Sequence, residues 1–212
     1  VTRTRWAVVG AVCIAVVVVI ASLVAGRRSP LGVDGDALRF VLERRAGWPA
    51  AWARAVTPLG SMVVLLPIAV VVALALMWRR RFADATFVLA AVVGANVLQW
   101  AGKALVERPR PPVASRLVEV ASSAFPSGHA TQACAAWVAF ALVVARGRSR
   151  GTRALTAAAA AAVVLAVGLS RVVLGAHWLT DVVAGWALGA AWVALLVLML
   201  PLGANGGRWV RP

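Results

Sequence analysis

The sequence predicts an all-α integral membrane bundle of six transmembrane helices. Three observations carry this fold class. Hydrophobic residues make up 62% of the chain and charged residues only 14%, with a mean hydropathy of +0.88. Apolar runs of roughly 20 residues, long enough to cross a hydrocarbon layer of about 30 Å, recur along the chain. Arginines gather in the short segments between alternate runs. A soluble domain of 212 residues needs far less apolar surface to fill its core.

The runs lie at approximately 6–26, 59–78, 83–103, 129–145, 154–172 and 178–200. The first is too long for the apolar region of a signal peptide and no small-residue cleavage site clearly closes it, so it reads as a retained anchor. Short loops rich in arginine stay on the cytoplasmic side. With six alternating helices, Arg3 and Arg5, the run Arg79 to Arg81, the cluster Arg146, Arg148, Arg150 and Arg153, and the tail Arg208 and Arg211 all fall on that one face. Both termini are then cytoplasmic, and segments 27–58, 104–128 and 173–177 lie outside. The net charge of +15 reflects this topology. No nucleic-acid partner is expected, because the cationic clusters are split between short loops with no soluble recognition fold beside them. The expected partner is the lipid bilayer of the cell membrane.

Trp6, Trp78, Trp100, Trp178 and Trp209 sit near predicted ends of spans, where an indole keeps its ring in lipid and its N–H wet. Cys13 and Cys134 read as small core residues without a disulfide between them. In the first outer segment, apolar Leu38, Val41 and Leu42 alternate with charged Arg39, Glu43 and Arg44, which predicts a short helix in the interface plane; a second starts near Pro49. If it has a function, this element sits beside the entrance used by a lipid head group. The chain shows no internal repeat or soluble second domain and reads as a single domain over 1–212, with its motif-bearing core at about 59–200.

Chemistry is expected where residues are rare. There are two histidines, His129 and His177, and one lysine, Lys103, against twenty-one arginines. All three fall near predicted outer boundaries. A point-charge ammonium where arginine is the usual cation suggests a specific need. Three clusters emerge: "KALVERPRP" from Lys103 to Pro111, "PSGH" from Pro126 to His129, and "SRVVLGAHWLTD" from Ser170 to Asp181. Lys103 closes the third span and Arg110 follows on a proline-stiffened loop, so both can converge on one anion. Ser127 and Gly128 precede the fourth helix, whose first N–H groups carry partial positive charge and suit phosphate oxygens. Gly128 lets the backbone come close. His177 and Asp181 are four apart at the start of the sixth helix and share a face, so the carboxylate can take the Nδ1 proton and leave Nε2 with a free lone pair. Such an imidazole is a nucleophile or a base, and Arg171 lies just before it.

Together the clusters resemble the type-2 phosphatidic-acid phosphatase superfamily, which also includes vanadium haloperoxidases. Its pattern, K-x6-RP, then PSGH, then SR-x5-H-x3-D, matches Lys103, Arg110 and Pro111; Pro126, Ser127, Gly128 and His129; and Ser170, Arg171, His177 and Asp181. "ERPRPP" offers two Arg-Pro pairs, and the six-residue spacer selects Arg110 over Arg108. The resemblance implies that His177 attacks phosphorus to form a phosphohistidine and that His129 protonates the leaving oxygen and then activates water. Asp181 orients His177, while Lys103, Arg110, Ser127, Gly128 and Arg171 hold the nonbridging oxygens. It implies neither metal nor cofactor, and a bell-shaped rate profile.

Other readings use the same residues. Two histidines and an aspartate could form a facial metal triad, but Lys103, Arg110 and Arg171 at that spot would repel a dication. A transporter of a phosphorylated solute would bind phosphate without turnover. A haloperoxidase fits less well, because the oxidising members are soluble. For a hydrolase fed from the bilayer, the expected substrate is a lipid phosphate or diphosphate. A polyprenyl (di)phosphate is favoured by analogy with small bacterial relatives, with phosphatidylglycerol phosphate, phosphatidic acid and diacylglycerol diphosphate as alternatives.

Overall fold

The computed structural model describes residues 3–200, all helix, turn and loop. Its helices are α1 (Arg3–Val24), α2 (Gly32–Arg44), α3 (Trp48–Val56), α4 (Met62–Trp78), α5 (Phe82–Val106), α6 (Gly128–Ala145), α7 (Arg150–Val173) and α8 (Leu179–Met199). Five of these, α1 and α5 to α8, are by themselves long and apolar enough to cross a membrane. The second expected span departs from 59–78. Its helix begins only at Met62, because Ser61 is extended, and the preceding stretch Trp48–Gly60 meets α4 at a bend of 45°. Counting that bent pair as one span gives six. Elsewhere the boundaries shift by a turn or less: α5 continues past Lys103 to Val106, and α7 starts at Arg150, where Ser149 Oγ accepts the Thr152 N–H at 3.3 Å as an N-cap. Arg208, Trp209 and Arg211 lie outside the described residues.

In lipid, apolar side chains gain little by leaving one greasy environment for another, so helices associate through close backbone approach and good packing. Helix α8 shows how. Gly185 and Gly189, one turn apart, face α6 so closely that a Cβ on Gly185 would stand 2.7 Å from Ser127 O, and one on Gly189 would stand 2.6 Å from Thr131 O. On its other sides α8 inserts two indoles into glycine notches. Trp186 lies over Gly168 of α7 and donates to Val164 O at 3.1 Å; Trp192 lies over Gly94 of α5 and donates to Ala90 O at 3.0 Å. Each indole thus reaches the carbonyl four residues before the glycine that admits its ring. A cluster including Leu65, Phe87, Val88, Ala135, Phe140 and Val193 fills the space between α4, α5, α6 and α8. Cys13 and Cys134 are free thiols.

The arginine-rich end is closed by charge. Asp84, in the first turn of α5, is buried and pairs with Arg81 before it and with Arg146 at the end of α6. From that level, at about 1.5 Å per residue, Lys103 stands about 28 Å up α5 and Gly128 stands about 27 Å up α6 from Arg146. Two of the predicted clusters therefore meet at one height, at the end opposite the arginines.

Both short helices expected between the first two spans are present, with Pro49 in the first turn of α3. Helix α2 turns Val41 towards a small core of Ala130, Val172 and Val182, and leaves Val33, Phe40 and Leu42 exposed.

Gly189→Leu is expected to force α6 and α8 apart and destabilise the fold by about 1–3 kcal/mol, read as a lowered Tm in detergent. Val97→Ala, on the exposed side of α5, is expected to stay within about 0.5 kcal/mol. Equal effects would contradict packing through the Gly185–Gly189 seam.

Candidate active site

Four pieces of chain converge at the Lys103 end of α5: the loop 107–127, the start of α6, the turn between α7 and α8, and the segment with α2 and α3. Helix α5 ends with Glu107 in the left-handed region at φ 48°, and the chain then turns across the bundle as "RPRPP". The α7–α8 turn is equally tight. Gly175, at φ 65°, leaves no room for a side chain, since a Cβ there would stand 2.1 Å from Ser115 O. The backbone N–H groups of Ala176 and His177 both donate to Arg171 O, at 3.0 and 3.3 Å, which folds His177 back over the end of α7.

The expected phosphate ligands meet here. Lys103 Nζ donates to Ser123 O at 2.5 Å, and Ser123 Oγ donates back to Lys103 O at 2.9 Å. Arg110 is anchored by donating to Ser122 O and Ala176 O, both at 2.5 Å, and its Nη1 faces His177 Nε2 at 3.1 Å. Arg171 donates from Nη1 to Thr57 Oγ1 at 2.8 Å, which ties the end of α7 to the bend before α4. His129 opens α6 half-buried, makes no hydrogen bond among the described residues, and feels the charges of Arg171, His177, Arg110 and Lys103. Ser122, Ser123 and Thr57, which hold these cations, carry no sequence signature and are found only in the structure.

A guanidinium only donates, so Nε2 of His177 must accept from Arg110 and the ring proton belongs on Nδ1. That is the tautomer expected from the sequence, but its cause differs. The hydrogen bond expected from Nδ1 to Asp181 is not made: Asp181 Oδ2 is 3.7 Å away and instead accepts the Trp178 N–H at 2.9 Å. Burial drives the His177 pKa well below its ordinary value; Arg110, Arg171 and Lys103 add to the shift, and only the Ala124 carbonyl opposes it. The ring is therefore neutral. Arg110 is lowered to about 10, by burial first and, to a lesser degree, Arg116, against the pull of Asp181, and stays charged at neutral pH.

Three further expectations change. Gly128 does not open onto a ligand on its side-chain face, because Gln99 Oε1 would stand 2.8 Å from a Cβ there; its close approach is to α5. Trp178 is not an interfacial indole but a buried one, donating to Pro109 O at 2.9 Å beneath Arg108, whose guanidinium carbon is 5.7 Å from the ring centre. Arg108, passed over by the motif spacing, forms a buried double ion pair: Nη2 to Asp34 Oδ2 at 2.6 Å and Nη1 to Asp181 Oδ1 at 2.5 Å. A signal for Asp34 was present, since Asp34, Leu38 and Val41 share one helical stripe, and a carboxylate on an apolar stripe requires a buried cation.

Buried polar atoms nearly always find partners. Among the described residues Ser127 Oγ, Arg171 Nε and His177 Nδ1 have no hydrogen-bond partner. No side chain caps the N-terminus of α6 either. Ser127 Oγ, Arg171 Nε and the first N–H groups of α6 suit a tetrahedral oxyanion, which accepts several donors at once, whereas His177 Nδ1 faces Asp181. Among the described residues no three His, Cys, Asp or Glu side chains are grouped to hold a metal ion.

Comparison with known proteins gives the family. Residues 84–202 match the PAP2 superfamily. Phosphatidylglycerophosphatase B of Bacillus subtilis is 32% identical over 136 residues, spanning 63% of this chain and 66% of the relative. Lipid A 1-phosphatase of Rhizobium johnstonii is 40% identical over 80 residues, which cover 38% of this chain and 29% of that protein. The matches thus span just under two thirds and less than a third of these relatives. The crystal structure of a transmembrane PAP2 type phosphatidylglycerolphosphate phosphatase from Bacillus subtilis superposes with a TM-score of 0.81 at 25% identity, covering 89% of this chain and 94% of that one. With three ordered motifs at one end of a helical bundle and a family match over more than half its length, the chain belongs to the PAP2 superfamily.

Proposed function

We propose that the protein is a multi-pass membrane lipid phosphatase that removes the terminal phosphate of a lipid phosphate or diphosphate through a phosphohistidine. The observation that carries this reading is the Arg110–His177 contact of 3.1 Å, within a site that also leaves Ser127 Oγ and Arg171 Nε without partners. A neutral imidazole with its lone pair directed at a guanidinium already stands where a phosphoryl group held by that guanidinium would be attacked.

In the first step the one Arg110 Nη1–H that faces Nε2 turns to a phosphoryl oxygen, joined by Lys103, Arg171, Ser127 and the first N–H groups of α6. His177 Nε2 donates its lone pair to phosphorus, the ester P–O bond breaks in line, and His129 gives its proton to the leaving oxygen. As the ring gains positive charge, its Nδ1–H faces Asp181. In the second step His129 takes a proton from water, the oxygen attacks phosphorus, the P–N bond breaks, and phosphate leaves with His177 neutral again. Each step asks the protein for position and for compensation of charge, both of which the cationic ring supplies without a metal.

The relatives' names support a phosphorylated membrane lipid. They give no support to the polyprenyl substrate favoured from the sequence, and phosphatidylglycerol phosphate becomes the first substrate to test. With the arginine-rich end in the cytoplasm, the site faces the extracytoplasmic side. Helices α2 and α3 then lie in the outer interface, with exposed Val33, Phe40 and Trp48 facing lipid.

Purified protein is expected to release phosphate from phosphatidylglycerol phosphate, in preference to polyprenyl diphosphate, in the presence of EDTA and with inhibition by vanadate. His177→Ala is expected to lose at least about 10³-fold in kcat. Native-rate release by that variant would remove the nucleophile, and vanadate binding by a wild type without turnover on any lipid would favour transport.

The pH dependence follows from the same site. His177 must be unprotonated to attack and its pKa lies below the ordinary 6.5. Protonation should therefore abolish kcat/KM only below that value, once the substrate's own phosphate ionisation is allowed for. An acid limb assigned to His177 at or above 6.5 would contradict the buried neutral ring.

A further inference from the structure

Helix α2 reaches the reaction centre through one carboxylate. Asp34 is 1% exposed, although it comes from the outer segment between α1 and α4. Its Oδ1 accepts the Thr180 N–H at 2.9 Å, and its Oδ2 accepts the Thr180 hydroxyl at 2.8 Å and Arg108 Nη2 at 2.6 Å. Thr180 is the second residue of α8, and its N–H has no acceptor within that helix. Asp34 therefore caps from another helix the element that begins just after His177. Arg108 continues the link: its Nη1 donates to Thr180 Oγ1 at 2.8 Å and to Asp181 Oδ1 at 2.5 Å.

The charges explain why two carboxylates share one guanidinium. An isolated Arg108–Asp181 pair would be neutral, and its carboxylate would be drawn wholly towards Arg108. With Asp34 added, the triad carries one net negative charge beside His177. Lys103, Arg110 and Arg171 bring three positive charges to the other side, and a dianionic phosphoryl group offsets them to within the one positive charge that His129 carries until it gives up its proton. In a buried site an uncompensated charge is strongly disfavoured, so this balance bears on the state with substrate bound.

We propose that Asp34 is a positioning residue for phosphoryl transfer: by sharing Arg108 with Asp181 and capping the first turn of α8, it sets the carboxylate that stands behind His177. Helix α2 is then part of the catalytic unit. The inference rests on the reading of His177 as the nucleophile of a phosphatase. It assigns Asp34 no contact with substrate, so the effect should fall on turnover and spare binding.

The test uses the full-length protein in mixed micelles, with phosphate release from phosphatidylglycerol phosphate and with orthovanadate as probe of the phosphate site. Asp34→Asn keeps the size and removes the charge. It is expected to lower kcat about 10- to 100-fold, the range typical of residues that orient a reacting group, with KM and the vanadate inhibition constant within about threefold of wild type. Asp34→Glu is expected to recover part of the loss. Wild-type turnover by Asp34→Asn would overturn the proposal, as would a loss confined to KM or one matched by loss of vanadate inhibition. Should Asp34→Asn not fold, Thr180→Val removes the hydroxyl link and leaves both ion pairs, and the same split at smaller amplitude is expected; unchanged kcat there would count equally against it. If the wild type spares the lipid but hydrolyses p-nitrophenyl phosphate, the lipid reading fails and the comparison proceeds on that ester. If it hydrolyses neither, both fall.

Discussion

The site depends on a guanidinium held between two carboxylates that are far apart in the chain. Arg108 receives Asp34 from α2 and Asp181 from α8, and both ion pairs are buried. Buried pairs of this kind often add little net stability, because desolvating the charges offsets most of their attraction, but removing one partner is severe. Their effect is on geometry. Once Arg108 is committed to these two acceptors, Pro109 accepts the Trp178 indole, Arg110 turns towards His177, and the α7–α8 turn is held from both sides. The two arginines of "RPRP" thus have different tasks: one organises carboxylates and the other faces His177 and the proposed phosphate site.

The scaffold below follows from the solvent it faces. With lipid around it, the bundle gains cohesion where backbones approach closely, and α8 supplies that approach on three sides through Gly185 and Gly189, Trp186 and Trp192. The same helix carries Asp181, and the Gly185 contact falls on Ser127 O, the residue just before α6. Packing and chemistry therefore share atoms. A change that loosens the α6–α8 seam displaces the helix N-terminus on which the PSGH motif sits.

Much of this was legible in the sequence because membrane proteins place polar residues sparingly. Span length and arginine distribution gave the helices to within a turn, and the rare Lys103, His129 and His177 marked the end where they meet. What was not legible came from long-range pairing. Asp34 and Arg108 are 74 residues apart, and neither falls in a motif whose spacing encodes a partner. The tautomer of His177 was inferred for a local reason, the i to i+4 position of Asp181, whereas the structure supplies it from Arg110, 67 residues away. The bend before α4 escaped because the expected span opens at Leu59, inside the 3-10 turn Thr57–Gly60, whereas the extended Ser61 separates that turn from α4.

The height of the cluster bears on the energy of the proposed reaction. Lys103 and Gly128 stand about 27–28 Å above the Asp84–Arg146 level, close to the roughly 30 Å thickness of a hydrocarbon layer. Groups at that height sit where acyl chains give way to polar head groups. An amphiphile can present its terminal phosphate there while its tails remain among their neighbours. Lifting even one sixteen-carbon tail into water would require roughly 13 kcal/mol, at about 0.8 kcal/mol for each methylene. In the proposed reaction, a ring of cations placed at this boundary would need only a reorientation of the polar end, and the dephosphorylated lipid would already be home when the inorganic ion departs.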